Sequence, residues 1–175
     1  MEDVMTETGP DSAGHTAHDT VRIEVSLPGE PDPKVLELLL VDDVLDAARQ
    51  ALGLGPDILI FALDGDEPLS KAPPGRKALR LTVHTGREIT VMVNYEHLTK
   101  EKKFSPSKTV FKVLQWAVGK SGFNLDPTSA ARANLILPGN DQPLPREAPI
   151  SSFVPSGEHV LVVDLTLKDF TNGGR

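Results

Sequence analysis

The residues best suited to chemistry lie in the segment Phe170-Thr171-Asn172-Gly173-Gly174-Arg175. Two adjacent glycines have no side chain to pack and lose the most backbone freedom on ordering, so no structural task asks for them there. What they suit is the chemistry of an acyl terminus. Without a Cβ, Gly173 and Gly174 can thread a narrow cleft, and catalytic groups of another protein can approach the Gly174 carbonyl from either side. Arg175 covers that carboxyl group, so a peptidase must cut after Gly174 before the group is available.

The remaining sequence offers little competing chemistry. Cysteine is absent, which removes disulfides, thiolate metal sites and a thiol nucleophile and fits a reducing cytoplasm. No phosphate loop and no serine, histidine and carboxylate set is recognisable by spacing. His15 and His18 lack the further ligands that a metal site needs. Glu158, His159 and Asp164 read most simply as surface residues of a strand and its turn. The expectation is a protein that is not an enzyme and binds no cofactor or metal of its own.

Charge narrows the partners. The chain carries a net charge of −7, with five acidic and no basic residues in positions 1–20. The one basic cluster, around Lys102 and Lys103, is too sparse for a nucleic-acid interface. No apolar run of 18 residues is present, so no helix is expected to span a membrane. The first twenty residues lack the basic region and apolar core of a secretory signal. A cytoplasmic protein without nucleic-acid or membrane partners is therefore expected.

The elements that must position the glycines are written twice, at an offset of 66 residues. "IEVSL" (Ile23 to Leu27) and "ITVMV" (Ile89 to Val93) alternate as half-buried strands do. "DVLDAARQALG" from Asp43 matches "TVFKVLQWAVG" from Thr109, each predicting a helix with one apolar stripe. The stripes are Val44, Ala47, Ala48, Ala51 and Leu52, then Val110, Val113, Leu114, Ala117 and Val118. Gly53 and Gly119 are the expected stops. "LIF" (Leu59 to Phe61) pairs with "LIL" (Leu135 to Leu137). "PPGRKALRLTV" from Pro73 pairs with "PSGEHVLVVDL" from Pro155, each a turn feeding a strand. "KVLELLLV" from Lys34 and "EKKFS" from Glu101 are the intervening strands.

Each unit thus reads as one helix on one small mixed sheet, an α+β arrangement. The boundaries that follow are a disordered acidic tail over 1–19, a first unit over 20–84, a second over 85–167 and a flexible tail over 168–175. The link "HTGR" (His84 to Arg87) is short, which limits the relative freedom of the units.

These residues resemble ubiquitin. "PSKTVFKVL" from Pro106 is similar to the start of its helix. "LILPGNDQPLPREAPISSF" (Leu135 to Phe153) is similar to its third strand, glycine turn and the segment leading to a short helical turn. "HVLVVDLTL" (His159 to Leu167), a short tail and the glycine pair resemble its last strand and diglycine end. The resemblance covers the second unit nearly throughout and the first more loosely. It implies two tandem ubiquitin-like β-grasp domains. That layout resembles the interferon-stimulated tandem modifier of vertebrates and the modifier of bacterial Bil-type antiphage operons.

What the resemblance implies goes beyond spacing. Such operons supply an activating enzyme that uses ATP, a conjugating enzyme and a metal-dependent deconjugating peptidase. The chain would be cut after Gly174, adenylated there, passed to a partner's cysteine and joined to a target-protein lysine. "KDFTN" differs from the basic tail of ubiquitin, which implies a dedicated activating enzyme, with Phe170 a candidate for docking in a partner groove. Ile136 faces out from its strand and is the candidate seed of an apolar recognition patch. Trp116 lies off the apolar stripe and is a candidate partner contact, with packing on the other unit as its alternative. A tandem module that binds without a covalent bond is the second reading; a sulfur carrier, normally a single unit, is a third.

Overall fold

The computed structural model describes residues 19–40 and 43–168. Its first unit comprises β1 (Thr20–Ser26), β2 (Lys34–Leu39), α1 (Val44–Leu52), β3 (Leu59–Ala62) and β4 (Ala78–His84). The second comprises β5 (Ile89–Tyr95), β6 (Leu98–Phe104), α2 (Val110–Val118), α3 (Pro127–Arg132), β7 (Asn134–Ile136), a 3-10 turn (Ile150–Phe153) and β8 (Val160–Thr166). Each unit forms a four-stranded sheet, in the orders β2-β1-β4-β3 and β6-β5-β8-β7. The first and last strands of each unit run parallel at the centre, and the outer pairs are antiparallel.

Alternation along the strands decides which face each helix covers. In the first unit Val21, Ile23, Val25, Leu79, Leu81 and Val83 turn to one side and bury against Val44, Leu45 and Ala48 of α1. In the second, Ile89, Val91, Val93, Leu161, Val163 and Leu165 meet Val110, Val113, Leu114 and Ala117 of α2. The Asp43 carboxylate caps α1 by accepting from the Asp46 N–H at 2.9 Å, and Gly53 ends it in the left-handed region, where only glycine sits without strain. Thr109 caps α2.

Two details depart from the sequence reading. The buried stripe of α1 takes in Leu45 and leaves Ala51 exposed. The larger side chain wins the core position, since burial free energy scales with apolar area. The helix α3 has no counterpart in the first unit and went unforeseen. It starts on an Asp126 cap, with Pro127 in the first turn.

The two units are locked together through polar groups and one aromatic ring. The turn at Asp64–Asp66 meets Ser107–Thr109: the Asp64 N–H donates to the Ser107 carbonyl at 3.0 Å. The Thr109 N–H donates to Asp64 Oδ1 at 2.9 Å, and Ser107 Oγ donates to the Gly65 carbonyl at 2.7 Å. Lys108 Nζ reaches both the Asp64 carbonyl and Asp66 Oδ1. On the other side the Gly29 N–H donates to the Ser151 carbonyl at 3.1 Å. Between these anchors, Phe61 pairs with Thr82 on the sheet face turned away from α1, yet both are fully buried. The second unit supplies their cover. Among the described residues, Thr82 Oγ1 and Ser151 Oγ are buried without a hydrogen-bond partner, a cost of about 1–3 kcal/mol each.

Candidate functional site

The last strand brings the chain to the tail. β8 lies between β5 and β7, hydrogen-bonded on both sides. Leu165 is buried in the core and Leu167 packs against it just after the strand closes at Thr166. The folded domain therefore hands off to the tail at Leu167–Lys168. Phe170, Gly173, Gly174 and Arg175 lie outside the described residues, as do His15 and His18.

Ile136 lies on the face of the second sheet opposite α2, half-buried and across from Asp164 on β8. The same face carries Val160 and Val162, 50% and 39% exposed. Met92 sits beside Val162 in the β5–β8 register. Asn94 donates to Asp164 Oδ1 at 3.1 Å, closing this strip with a polar edge. The first sheet offers no matching surface near β3 and β4, because Phe61 and Thr82 are covered there by the second unit.

Trp116 sits on α2, half-buried, with its ring edge-on to Phe104 at 5.7 Å. It lines a cleft of about 490 Å³ that also takes in Asp66 and Glu67 of the first unit. Trp116 is thus both packed on its own core and open toward the junction. Ile136 and Trp116 belong to separate places, the outer sheet face and the helix side.

His84 was not singled out by its residue type, yet it closes the linker. It is fully buried at the end of β4. In the neutral ring Nδ1 accepts the Gly86 N–H at 2.9 Å and the Nε2 hydrogen donates to the Glu158 carbonyl at 3.2 Å, while the Gly86 carbonyl, 3.2 Å from Nδ1, stands ready to accept from the charged ring. The His159 ring stands edge-on to it at 5.1 Å. Gly86 lets the rings approach, because a Cβ there would lie 2.7 Å from the His159 ring and oblige that exposed side chain to shift. Burial pushes the His84 pKa below the usual histidine range, and His159 adds to the shift against two backbone hydrogen bonds that oppose it. The only sequence signal for this clasp was the brevity of the linker.

The architecture is that of two tandem ubiquitin-like β-grasp domains, each with a mixed sheet on one helix. Residues 90–168, a little under half of the chain, match the family model described as BilA ubiquitin-like domain 2. That match supports a Bil-type ubiquitin-like protein and falls on the second unit. No curated protein matches the chain. Among the described residues, no helix is long and apolar enough to cross a membrane, and no group of three or more histidines and carboxylates is placed to hold a metal.

Proposed function

We propose that the chain is a ubiquitin-like modifier of a bacterial antiphage system, cut after Gly174 and conjugated through that glycine to target lysines. The observation that carries the reading is the conjunction of a BilA-type ubiquitin-like domain over 90–168 with Gly173-Gly174 a few residues beyond its last strand. ATP, used by a dedicated activating enzyme, converts the Gly174 carboxylate to an acyl-adenylate with loss of pyrophosphate. A cysteine thiolate displaces AMP to give a thioester, and a lysine amine displaces the thiol to give an isopeptide bond. The chain's own part is to present the acyl group on a slim, side-chain-free backbone and to offer surfaces by which the enzymes recognise it. Ile136, Trp116 and Phe170 are the residues assigned to that recognition, and a metal-dependent peptidase reverses the bond.

The test is to express an N-terminally tagged chain with its native enzymes and digest the high-mass forms with trypsin. Cleavage after Lys168 leaves Asp169–Gly174 as a branch on target lysines, which mass spectrometry identifies. Gly174→Ala should abolish the branch. High-mass forms absent under inducing conditions, or function intact in Gly174→Ala, would replace this reading with that of a non-covalent tandem module.

A further inference from the structure

The cleft at the junction holds a charge pattern that the conjugation chemistry does not use. Trp116 and Phe104 form its apolar part, with Lys102, Lys103 and Lys112 around them. Two further cations there are already neutralised within the chain: Lys108 pairs with Asp66 at 2.9 Å and Arg87 with Glu67 at 3.1 Å. Lys102 lies over the Phe104 ring at 5.4 Å, and among the described residues Lys102, Lys103 and Lys112 form no ion pair. Glu88 is the one further carboxylate of the lining, so cations outnumber carboxylates five to three around the half-exposed indole, a local positive excess on a protein of net charge −7. Its counterpart is an acidic, extended segment able to lay carboxylates along the lysines and small apolar groups on the tryptophan.

The chain itself contains such a segment. Residues 1–18 carry Glu2, Asp3, Glu7 and Asp11, no lysine or arginine, and the apolar Val4 and Met5 between the acidic groups. They enter the fold at Thr20, the start of β1. Eighteen residues reach roughly 60 Å when extended, about twice the diameter of a small domain, so the cleft is within range from either side of the first unit. Tethering adds an effective concentration in the millimolar range, which lets weak, screened contacts suffice.

We propose that residues 1–18 dock in the Trp116 cleft, held by Lys102, Lys103 and Lys112. The proposal does not depend on the chemistry at Gly174, although the docked segment would cover Trp116, one of the residues assigned above to recognition by the enzymes.

Trp116 is the single tryptophan of the chain, so intrinsic fluorescence reads the cleft directly. Emission of the full chain is compared with that of a chain lacking residues 2–18, in salt at which the Debye length is about 30 Å and again where it is about 3 Å. The expected result is a difference in emission maximum at low salt that vanishes at high salt. Full-length protein with Lys102→Glu, Lys103→Glu and Lys112→Glu should match the truncated chain at low salt. These three residues are exposed, so their reversal leaves both cores intact. Carbodiimide should also link Glu2, Asp3, Glu7 or Asp11 to these lysines. Identical emission from full and truncated chains at low salt, with cross-links scattered to Lys34, Lys71 or Lys77, overturns the proposal. A response of the cleft to a free acidic peptide but not to the chain's own tail overturns it too, and reassigns the cleft to another molecule.

Discussion

Asp64 is the residue on which the junction can be tested most sharply. It sits at φ 62° in the left-handed region, and its side chain accepts the N–H of Thr109, a residue only 6% exposed. Its backbone N–H and carbonyl bind Ser107 and Lys108 whatever side chain it carries. Substitution therefore probes two effects alone. Removing the acceptor strands a buried N–H at about 1–3 kcal/mol, and placing a Cβ-bearing residue without a polar tip at positive φ costs about 1–2 kcal/mol. Asp64→Ala suffers both, for a loss of about 3 kcal/mol and a fall in Tm of about 10 °C at this chain length. Asp64→Gly keeps only the first penalty. Asp64→Asn retains a carbonyl acceptor and the tolerance of Asn for left-handed backbone, so it should lose under about 1 kcal/mol. Urea titrations followed by Trp116 fluorescence and by circular dichroism give all three values. The order of loss should be Ala, then Gly, then Asn. Equal losses for Ala and Asn would mean that the Asp64–Thr109 bond contributes nothing to the junction.

Other substitutions report on the same interface. Phe61→Ala should cost about 3–5 kcal/mol and split a single unfolding transition into two, as calorimetry would reveal; a single transition of unchanged midpoint refutes the burial of Phe61 between the units. Thr82→Val keeps the shape and removes a buried hydroxyl without a partner, so denaturant titration should show it neutral or more stable by up to about 1–3 kcal/mol. His84 has a folded pKa below its unfolded value near 6.5. Its contribution is present above that value and is lost as pH falls from about 6.5 through the lowered folded pKa. A pH series of melting curves should show this loss in the native chain and not in His84→Gln; matching profiles would remove His84 as its source.

The strands and the two long helices were legible because alternation and the 3.6-residue stripe state them locally, and the 66-residue repeat states them twice. The α1 stripe differs from the reading because six apolar side chains of unequal size occur on a nine-residue helix, and periodicity does not rank Leu45 above Ala51. The helix α3 carried its own signal, Asp126 followed by Pro127, but six residues hold too little periodicity to announce a helix. The junction was the least legible part. Asp64, Ser107 and Ser151 are ordinary turn residues until the two units meet, and Phe61 reads as a core residue of its own sheet. Its burial on the opposite face follows from the docking of the second unit, which no local pattern encodes. Trp116 and Ile136 were marked by type, and the fold gives each a separate setting.

The parallel pairing of β5 with β8 has a mechanical consequence. The first unit is attached at the start of β5 and the tail leaves from the end of β8. Tension between them pulls two neighbouring parallel strands in opposite directions along their length. The ladder from Thr90–Val160 to Asn94–Asp164 is then loaded in shear, all of its bonds sharing the force at once, while β7 braces the far side of β8. A strand peeled from an edge surrenders its bonds one after another. The first unit repeats the arrangement in β1 and β4, with β3 on the far side, so both units are built as tension members, and a single-molecule pull from residue 20 to residue 168 should meet shear resistance in each.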